Sequence, residues 1–138
     1  MRIFLDANVI VSVINKEYPL FTFSSRILSL AGHKNFELYT SPLCLAISFY
    51  FAEKKFGAKE AKNRIKILMD HLHITFCGVE ESTKAIENKK ATDFEDALQY
   101  YSALSSKCKY IVTNDVDDYY FSSIEVLKPE IFLNKFFG

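Results

Sequence analysis

The chain begins with an aspartate enclosed between two apolar runs, and this residue constrains the fold more than any other feature. Ile3-Phe4-Leu5 is typical of a short buried strand, Asp6 follows at once, and residues 9–14 are again mainly apolar. A carboxylate in this position must be paired, hydrogen-bonded or bound to a metal, because a buried unpaired charge is costly. Asp6 could simply cap a helix that begins near Val9. Asn8 could do the same, so capping alone does not explain why both residues are present.

Length and composition predict one soluble domain spanning residues 1–138. The formal net charge is zero, so no global field attracts nucleic acid or a membrane surface. Cys44, Cys77 and Cys108 show no CxxC spacing, which argues against a disulfide framework or a zinc site and favours a reducing cytoplasm. We expect no membrane association, because no apolar stretch approaches membrane-spanning length.

Hydrophobic periodicity predicts strands that alternate with helices along the whole chain. The predicted strands are residues 3–5, 36–40, 74–77, 110–113 and, at an edge, 125–128. The predicted helices are residues 9 to about 18, 21–31, 43–55, 58–71 and 80–87, with further helices after the cap at 92 and from 129. This alternation predicts an α/β layer with a mainly parallel sheet.

Two helix starts carry recognisable caps. Ser41 precedes Pro42, which suits a cap and a first helical residue, and the apolar helix that follows is expected to be heavily buried. Thr92 with Glu95 has the form of a capping box and predicts Thr92 as the next helix cap. That helix is expected to bury one apolar stripe, formed by Phe94, Ala97, Leu98, Tyr101 and Leu104.

Acidic residues follow two of the predicted strands. Asp6 comes after the first strand, and Asp115 and Asp118 come after the fourth. In open parallel sheets, ligands bind outside the carboxyl ends of the strands, where the strand order reverses. If these two strands are neighbours, Asp6 and Asp115 face each other there. Asp96, preceded by Asp93, lies at a helix N-terminus, where the helix dipole favours carboxylates.

Taken one at a time, these acids are more commonly turn formers or first-turn helix residues. Their shared position at one rim of the predicted sheet favours a site. Carboxylates gathered in a crevice repel one another, and a bound cation relieves that repulsion. All the candidate ligands are oxygens, so the predicted ion is Mg²⁺ or Mn²⁺. Such a cation suits phosphate ester chemistry, in which it polarises the phosphoryl oxygen and activates a water molecule.

Three blocks of the sequence resemble PIN-domain proteins of the toxin–antitoxin ribonuclease type, the VapC-like group. The matching stretches are Ile3-Phe4-Leu5-Asp6-Ala7-Asn8-Val9, Asp93-Phe94-Glu95-Asp96-Ala97-Leu98-Gln99 and Ile111-Val112-Thr113-Asn114-Asp115-Val116-Asp117-Asp118-Tyr119. Their order and spacing make the resemblance fairly specific, and it extends over nearly the whole chain.

The resemblance implies a three-layer α/β/α fold and a Mg²⁺- or Mn²⁺-dependent endoribonuclease, the toxin of a toxin–antitoxin pair. It implies RNA as substrate, a small antitoxin protein as partner and a homodimer. Asp6, Asp96 and Asp115 match the catalytic, metal-binding acids, and Asp118 is a further acid of the last motif. Asn8 and Thr113 match polar residues that support the acids.

The chain departs from this family at one point. Many relatives place a glutamate on the helix after the second strand, whereas this chain has Ile47 or Ser48 there, and Glu53 lies too far along the helix. Asp93 is the acid that could compensate, as a further metal ligand beside Asp96. The missing glutamate keeps an alternative open: a catalytically weak or inactive PIN-like module that binds RNA or a protein partner.

Aromatic residues are concentrated near the predicted second and third helices. Phe21, Phe23, Phe49, Tyr50 and Phe51 could form a dimer surface or a groove for an antitoxin, although more of them are expected in the core.

Overall fold

A parallel sheet of five strands forms the centre of the computed structural model, which describes residues 1–138. The strands are β1 (Arg2–Leu5), β2 (Glu37–Thr40), β3 (His73–Ile74), β4 (Tyr110–Val112) and β5 (Glu125–Leu127). Their order is β3-β2-β1-β4-β5, and every neighbouring pair is parallel. The predicted parallel sheet is confirmed, with β1 beside β4 and β5 at an edge. The third strand is shorter than predicted, because it pairs with β2 through only two residues.

Seven helices cover the two faces of the sheet and complete a three-layer α/β/α fold. They are α1 (Ala7–Ile14), α2 (Leu20–Ser29), α3 (Pro42–Phe56), α4 (Ala58–Met69), α5 (Val79–Glu87), α6 (Phe94–Ser105) and α7 (Pro129–Phe137). Helix α1 packs against α2 and α3. Helix α3 also packs against α4, and α2 also packs against α7, whereas α5 packs against α6. No helix combines the length and the apolarity that crossing a lipid bilayer requires.

The central strands supply the most deeply buried part of the core. Ile3, Phe4 and Leu5 are fully buried on β1, and Ile111 and Val112 are fully buried on β4. Helices on both faces of a parallel sheet bury both sides of each strand, which explains the continuous apolar runs in the sequence. The strand order reverses between β1 and β4, so residues after Leu5 and after Val112 meet at the switch point.

The first helix begins two residues earlier than predicted. Asp6 is its N-cap and accepts a hydrogen bond of 2.7 Å from the Ala7 backbone N–H, so Asp6 does cap this helix. Asn8 lies inside the first turn and does not cap it. The predicted cap of α3 is confirmed, because the Ser41 hydroxyl accepts from the Cys44 N–H at 3.0 Å and Pro42 is the first helical residue.

Burial of α3 is much lower than predicted. Only Cys44, Ser48 and Ala52 are buried, four residues apart along one face, whereas Tyr50 and Phe51 are 53% and 44% exposed. The reason is that α3 packs against α1 and α4 and leaves its remaining face to solvent. Of the other aromatics noted above, Phe21, Phe23 and Phe49 are partly buried.

The cap of α6 is Asp93, and the prediction of Thr92 is wrong. The Asp93 carboxylate accepts from the Asp96 N–H at 3.0 Å, whereas the Thr92 N–H donates to the Tyr120 hydroxyl at 3.2 Å. The buried face of α6 also differs from the predicted apolar stripe, since Phe94 and Leu104 are 45% and 42% exposed. The buried residues of α6 are Ala97, Gln99, Tyr100, Ser102 and Ala103. Packing against α5, which periodicity could not locate, determines the buried face.

We expect Asp93→Ala to lower the free energy of unfolding by about 1 kcal/mol, because the α6 N–H group loses its acceptor. Asp93→Asn keeps an acceptor at the cap and should stay close to wild type. Thr92→Ala, the neighbouring control, should change stability much less. Urea denaturation followed by circular dichroism measures all three, and a larger loss in Thr92→Ala than in Asp93→Ala would contradict the assignment.

Candidate active site

Four of the predicted acids line one pocket beyond the carboxyl ends of β1 and β4. Asp6 follows β1, Asp96 comes from the first turn of α6, and Asp115 and Asp118 come from the turn after β4. The pocket has a volume of about 470 Å³. Its lining is completed by Ala7, Asn8, Val11, Glu17, Leu20, Ile47, Phe51 and Asn114. The fold thus brings together Asp6 and Asp118, which lie 112 positions apart in the sequence.

The Thr113 hydroxyl is the hub of the hydrogen bonds around these acids. It accepts from the Asn8 side-chain Nδ2 at 3.0 Å and from the Asp115 backbone N–H at 3.1 Å. Both lone pairs of the hydroxyl are then occupied, so its one hydrogen is directed to Asp6 Oδ2, at 2.9 Å. Because the Thr113 hydroxyl donates to it, Asp6 Oδ2 must be an acceptor, and this favours the ionised form of Asp6.

Asn8 joins the two strand ends directly. Its Nδ2 also reaches Asp115 Oδ2 at 3.1 Å, and its Oδ1 accepts from the Asn114 backbone N–H at 3.1 Å. Asn8 therefore positions both Asp115 and the turn that carries it. The structure places Asn8 and Thr113 where supporting residues for the acids were predicted.

Burial raises the pKa of Asp6 above its ordinary value, because removal from water penalises the charged form. The hydrogen bonds from Thr113 and Ala7 oppose this effect, and the nearby charge of Asp115 adds to it. The net direction is upward. Asp6 is thus a carboxylate whose charge is costly to maintain in the free protein.

The pKa of Asp96 is raised further, to about 7, with burial again the largest cause. Repulsion from Asp93, Asp6, Asp118 and Glu95 adds to the effect of burial. No base compensates this charge, since none of the four salt bridges in the molecule involves an acid of the pocket. Uncompensated carboxylates with only oxygen donors are the chemistry that a hard divalent cation fits.

No group of three or more His, Cys, Asp or Glu side chains is arranged as a ready-made metal site. Asp93 does not line the pocket, and its carboxylate is used as the cap of α6. Asp93 acts on Asp96 through its charge. The acids that line the pocket are therefore Asp6, Asp96, Asp115 and Asp118.

Of the two positions considered for the missing glutamate, only Ile47 lines the pocket. Ile47 lines the pocket, together with Phe51 one turn later. Ser48 is buried and donates to the Cys44 carbonyl oxygen at 2.7 Å, and Glu53 is exposed and absent from the lining. The wall of the pocket on α3 is therefore apolar.

Three further residues around the acids were not singled out from the sequence. Glu17 lines the pocket because the chain turns directly after α1, where Lys16 has φ 52°. A hydrogen bond of 2.9 Å from the Glu17 N–H to the Ser12 carbonyl oxygen closes this turn. The Cys44 thiol lies 3.9 Å from Asp6 Oδ1, and the Tyr119 side chain is buried beside Asp6. No sequence signal marks Glu17 or Cys44, whereas Tyr119 ends the third matching stretch.

Comparisons with known proteins agree with this architecture. The family model of the PIN domain matches residues 2–117. Ribonuclease VapC1 of Aquifex aeolicus (strain VF5) is 33% identical over 138 residues, covering 97% of this chain and 94% of the relative. Among solved structures, VapBC2 from Rickettsia felis, bound to a DNA fragment from its promoter, aligns with a TM-score of 0.71 and 20% identity. That alignment covers 93% of this chain and 98% of the other.

A second solved structure has the same fold. VapC20 of Mycobacterium tuberculosis, described as a toxin that cleaves the sarcin-ricin loop, aligns with a TM-score of 0.62 and 15% identity. The alignment covers 79% of this chain and 86% of VapC20. At these identities the two structures establish the fold alone.

The raised pKa of Asp96 makes stability depend on pH when a chelator removes metal ions. Between its ordinary pKa of 3.8 and about 7, the folded protein binds more protons than the unfolded chain, so stability falls as pH rises. We expect Asp96→Asn to reduce this fall, because asparagine does not titrate. Melting temperatures from pH 5 to pH 8 test this, and parallel profiles for the two proteins would contradict it.

Proposed function

The chain belongs to the PIN-domain family, as a VapC-like member, and we propose that it is a metal-dependent endoribonuclease, the toxin of a toxin–antitoxin pair. The observation that carries the proposal is the pocket lined by Asp6, Asp96, Asp115 and Asp118 without a compensating base. Its place at the switch point between β1 and β4 is where parallel sheets bind ligands. The relative at 33% identity is a ribonuclease, and a protein of the same fold is a toxin that cleaves RNA.

In this proposal Asp6, Asp96 and Asp115 hold Mg²⁺ or Mn²⁺, with Asp118 as a further acid. When bound, such a cation polarises a phosphoryl oxygen and lowers the pKa of a water molecule, which supplies the nucleophile for phosphodiester hydrolysis. Thr113 orients Asp6 through its hydroxyl, and Asn8 orients Asp115 through its amide. Asp93 adds negative charge beside Asp96 without reaching the pocket.

A second pocket extends the proposed site for the substrate. It has a volume of about 510 Å³ and shares Asn114, Asp115 and Asp118 with the first. It adds Lys128, which is the only basic side chain that lines either pocket. The Lys128 ammonium group beside the acids suits one phosphate of an RNA strand. Contacts to phosphate position a nucleic acid but carry no sequence information.

We further propose that a small antitoxin protein is the physiological partner. A neighbour of the same fold, VapBC2, binds a DNA fragment from its promoter. Tyr50 and Phe51 form an exposed aromatic pair on α3, with rings 5.2 Å apart, and Phe51 also lines the acidic pocket. An apolar surface at the rim of the site suits a partner that blocks it. The homodimer and the cytoplasmic location stay predictions from the sequence.

Ile47 favours a second candidate function, a PIN-like module that binds RNA or a protein partner with weak or no catalysis. An apolar side chain stands in the pocket wall where many relatives supply a carboxylate. With one ligand fewer, metal affinity would fall, and cleavage would fall with it. Binding of metal ions to the wild-type protein separates the two functions.

We expect Mn²⁺ to raise the melting temperature, because the ion binds only the folded state and relieves repulsion among the acids. At an ion concentration 100 times the dissociation constant, the gain is about 2.7 kcal/mol. Thermal shift and calorimetry in chelator-treated buffer measure it. Asp70→Asn is a matched control, since Asp70 is an exposed carboxylate at the end of α4 that lines neither pocket. The absence of a shift at millimolar Mn²⁺ would favour the non-catalytic module.

The second test of the function is Asp6→Asn. Asparagine caps a helix as well as aspartate does, so an Asp6 that only caps α1 would leave activity intact. If Asp6 holds the cation, RNA cleavage and growth arrest on expression should fall by orders of magnitude, because the water loses its activation. Without metal, the substitution removes one repulsive charge, but the amide offers one acceptor oxygen to the two donors that Asp6 satisfies, Ala7 N–H and the Thr113 hydroxyl, so stability should fall modestly.

Folding is verified by circular dichroism, and Asp70→Asn again serves as the control that removes one charge outside both pockets. A folded Asp6→Asn protein that cleaves RNA at the wild-type rate would defeat the assignment of Asp6.

A further inference from the structure

Tyr119 is a buried tyrosine whose hydroxyl has no hydrogen-bond partner. It ends the short 3₁₀ helix Val116–Tyr119, and its side chain is only 2% exposed, whereas Asp117 and Asp118 of the same turn face solvent. The ring belongs to the hydrophobic core and lies 6.2 Å from the ring of Phe121. The ring alone would pack equally well as phenylalanine, so packing does not account for the hydroxyl.

The hydroxyl lies among the acidic groups of the site. Asp6 is its nearest charged neighbour, and Cys44 and Asp96 act on it as well; together with burial they raise the pKa of Tyr119 far above its ordinary value. It is therefore a neutral O–H donor at any working pH. Asp6 lies close enough for a weak interaction with this hydroxyl that lowers the pKa of the carboxyl, but no acceptor forms a hydrogen bond of good geometry with it.

A buried donor without an acceptor is unfavourable, and such groups are rare in folded proteins. Asp6 is the acceptor within reach, and its two oxygens already receive Ala7 N–H at 2.7 Å and the Thr113 hydroxyl at 2.9 Å. A carboxylate has about four acceptor positions, so these two bonds leave about two, one for the Tyr119 donor and one for a cation. The Tyr119 O–H rotates about its C–O bond and can point to either oxygen.

From this geometry we propose that Tyr119 is a positioning residue of the cation site, whose hydroxyl donates to Asp6 when the carboxylates hold a divalent cation. The inference rests on the proposed function. Asp6 would then receive donors from Thr113, which follows β4, and from Tyr119, at the end of the 3₁₀ helix, and these two donors would hold its carboxylate in one orientation for the ion. Partners of this kind orient metal ligands and commonly affect metal affinity.

The experiment compares Tyr119→Phe with wild type and with Tyr100→Phe as a matched control. Tyr100 is also buried, at 6% exposure, but its hydroxyl is satisfied by Ser123 at 2.7 Å and it does not line the pocket. Each protein is measured for its urea midpoint with chelator present, for its Mn²⁺ dissociation constant by calorimetry, and for the Mn²⁺ concentration that gives half-maximal RNA cleavage.

We expect Tyr119→Phe to unfold without metal at the wild-type midpoint or above it, because an unsatisfied group is removed. Its Mn²⁺ dissociation constant and its half-maximal Mn²⁺ concentration should both rise by about 10-fold or more. Tyr100→Phe should show the reverse pattern, with a lower midpoint and wild-type Mn²⁺ affinity.

Two results would overturn the role of Tyr119 alone: wild-type Mn²⁺ affinity in Tyr119→Phe, or a loss of midpoint without metal as large as that of Tyr100→Phe. The second result would make the hydroxyl structural. If the wild-type protein itself binds no Mn²⁺, the proposed function fails and the positioning role fails with it. The wild-type titration therefore distinguishes the two failures.

Discussion

The hydroxyl of Thr113 joins the ends of the two central strands, and the geometry of the whole pocket depends on it. It accepts from Asn8 and Asp115 and donates to Asp6, so three segments that are remote in sequence share one oxygen atom. The pairing of β1 with β4 brings that oxygen into place, and the Asp6 N–H continues the pairing with a bond of 3.0 Å to the Val112 carbonyl. A one-residue slip between these strands would turn Thr113 away from Asp6.

The same arrangement has an electrostatic cost. Burial raises the pKa values of Asp6 and Asp96, and neighbouring acids add to both shifts. The free protein tolerates this because β1 and β4 contribute fully buried apolar side chains on both faces of the sheet. Strain of this kind is concentrated at functional sites, where binding of a ligand can release it. A bound cation would relieve the unfavourable interactions among these acids, and this gain in free energy would favour its binding.

The wall of the acidic pocket on α3 is apolar. Ile47 and Phe51 place apolar surface against the acids, and Tyr50 extends it toward solvent. Apolar neighbours exclude water, which strengthens the repulsion among the acids and their attraction for a cation. The apolar wall supplies no ligand of its own, but it makes the acids of the pocket interact more strongly.

Local sequence determined the strands, most of the helices and the acids. A buried parallel strand needs a continuous apolar run, and Ile3–Leu5 and Ile111–Val112 have one; the carboxylates that end such runs mark the ligand-binding rim. Ser41 with Pro42 specified the start of α3 by short-range chemistry. The resemblance of three short blocks added the family and its fold, which the comparisons confirmed.

Only the tertiary structure decided which side chains face one another. Asp93 rather than Thr92 caps α6, because both are good cap residues and the choice depends on how α6 docks. The exposure of Tyr50 and Phe51 follows from which neighbours α3 has, which its apolar composition does not specify. Glu17, Ile47 and Tyr119 reach the site through long-range packing. Periodicity reports the face of an element but contains no information about its partner in space.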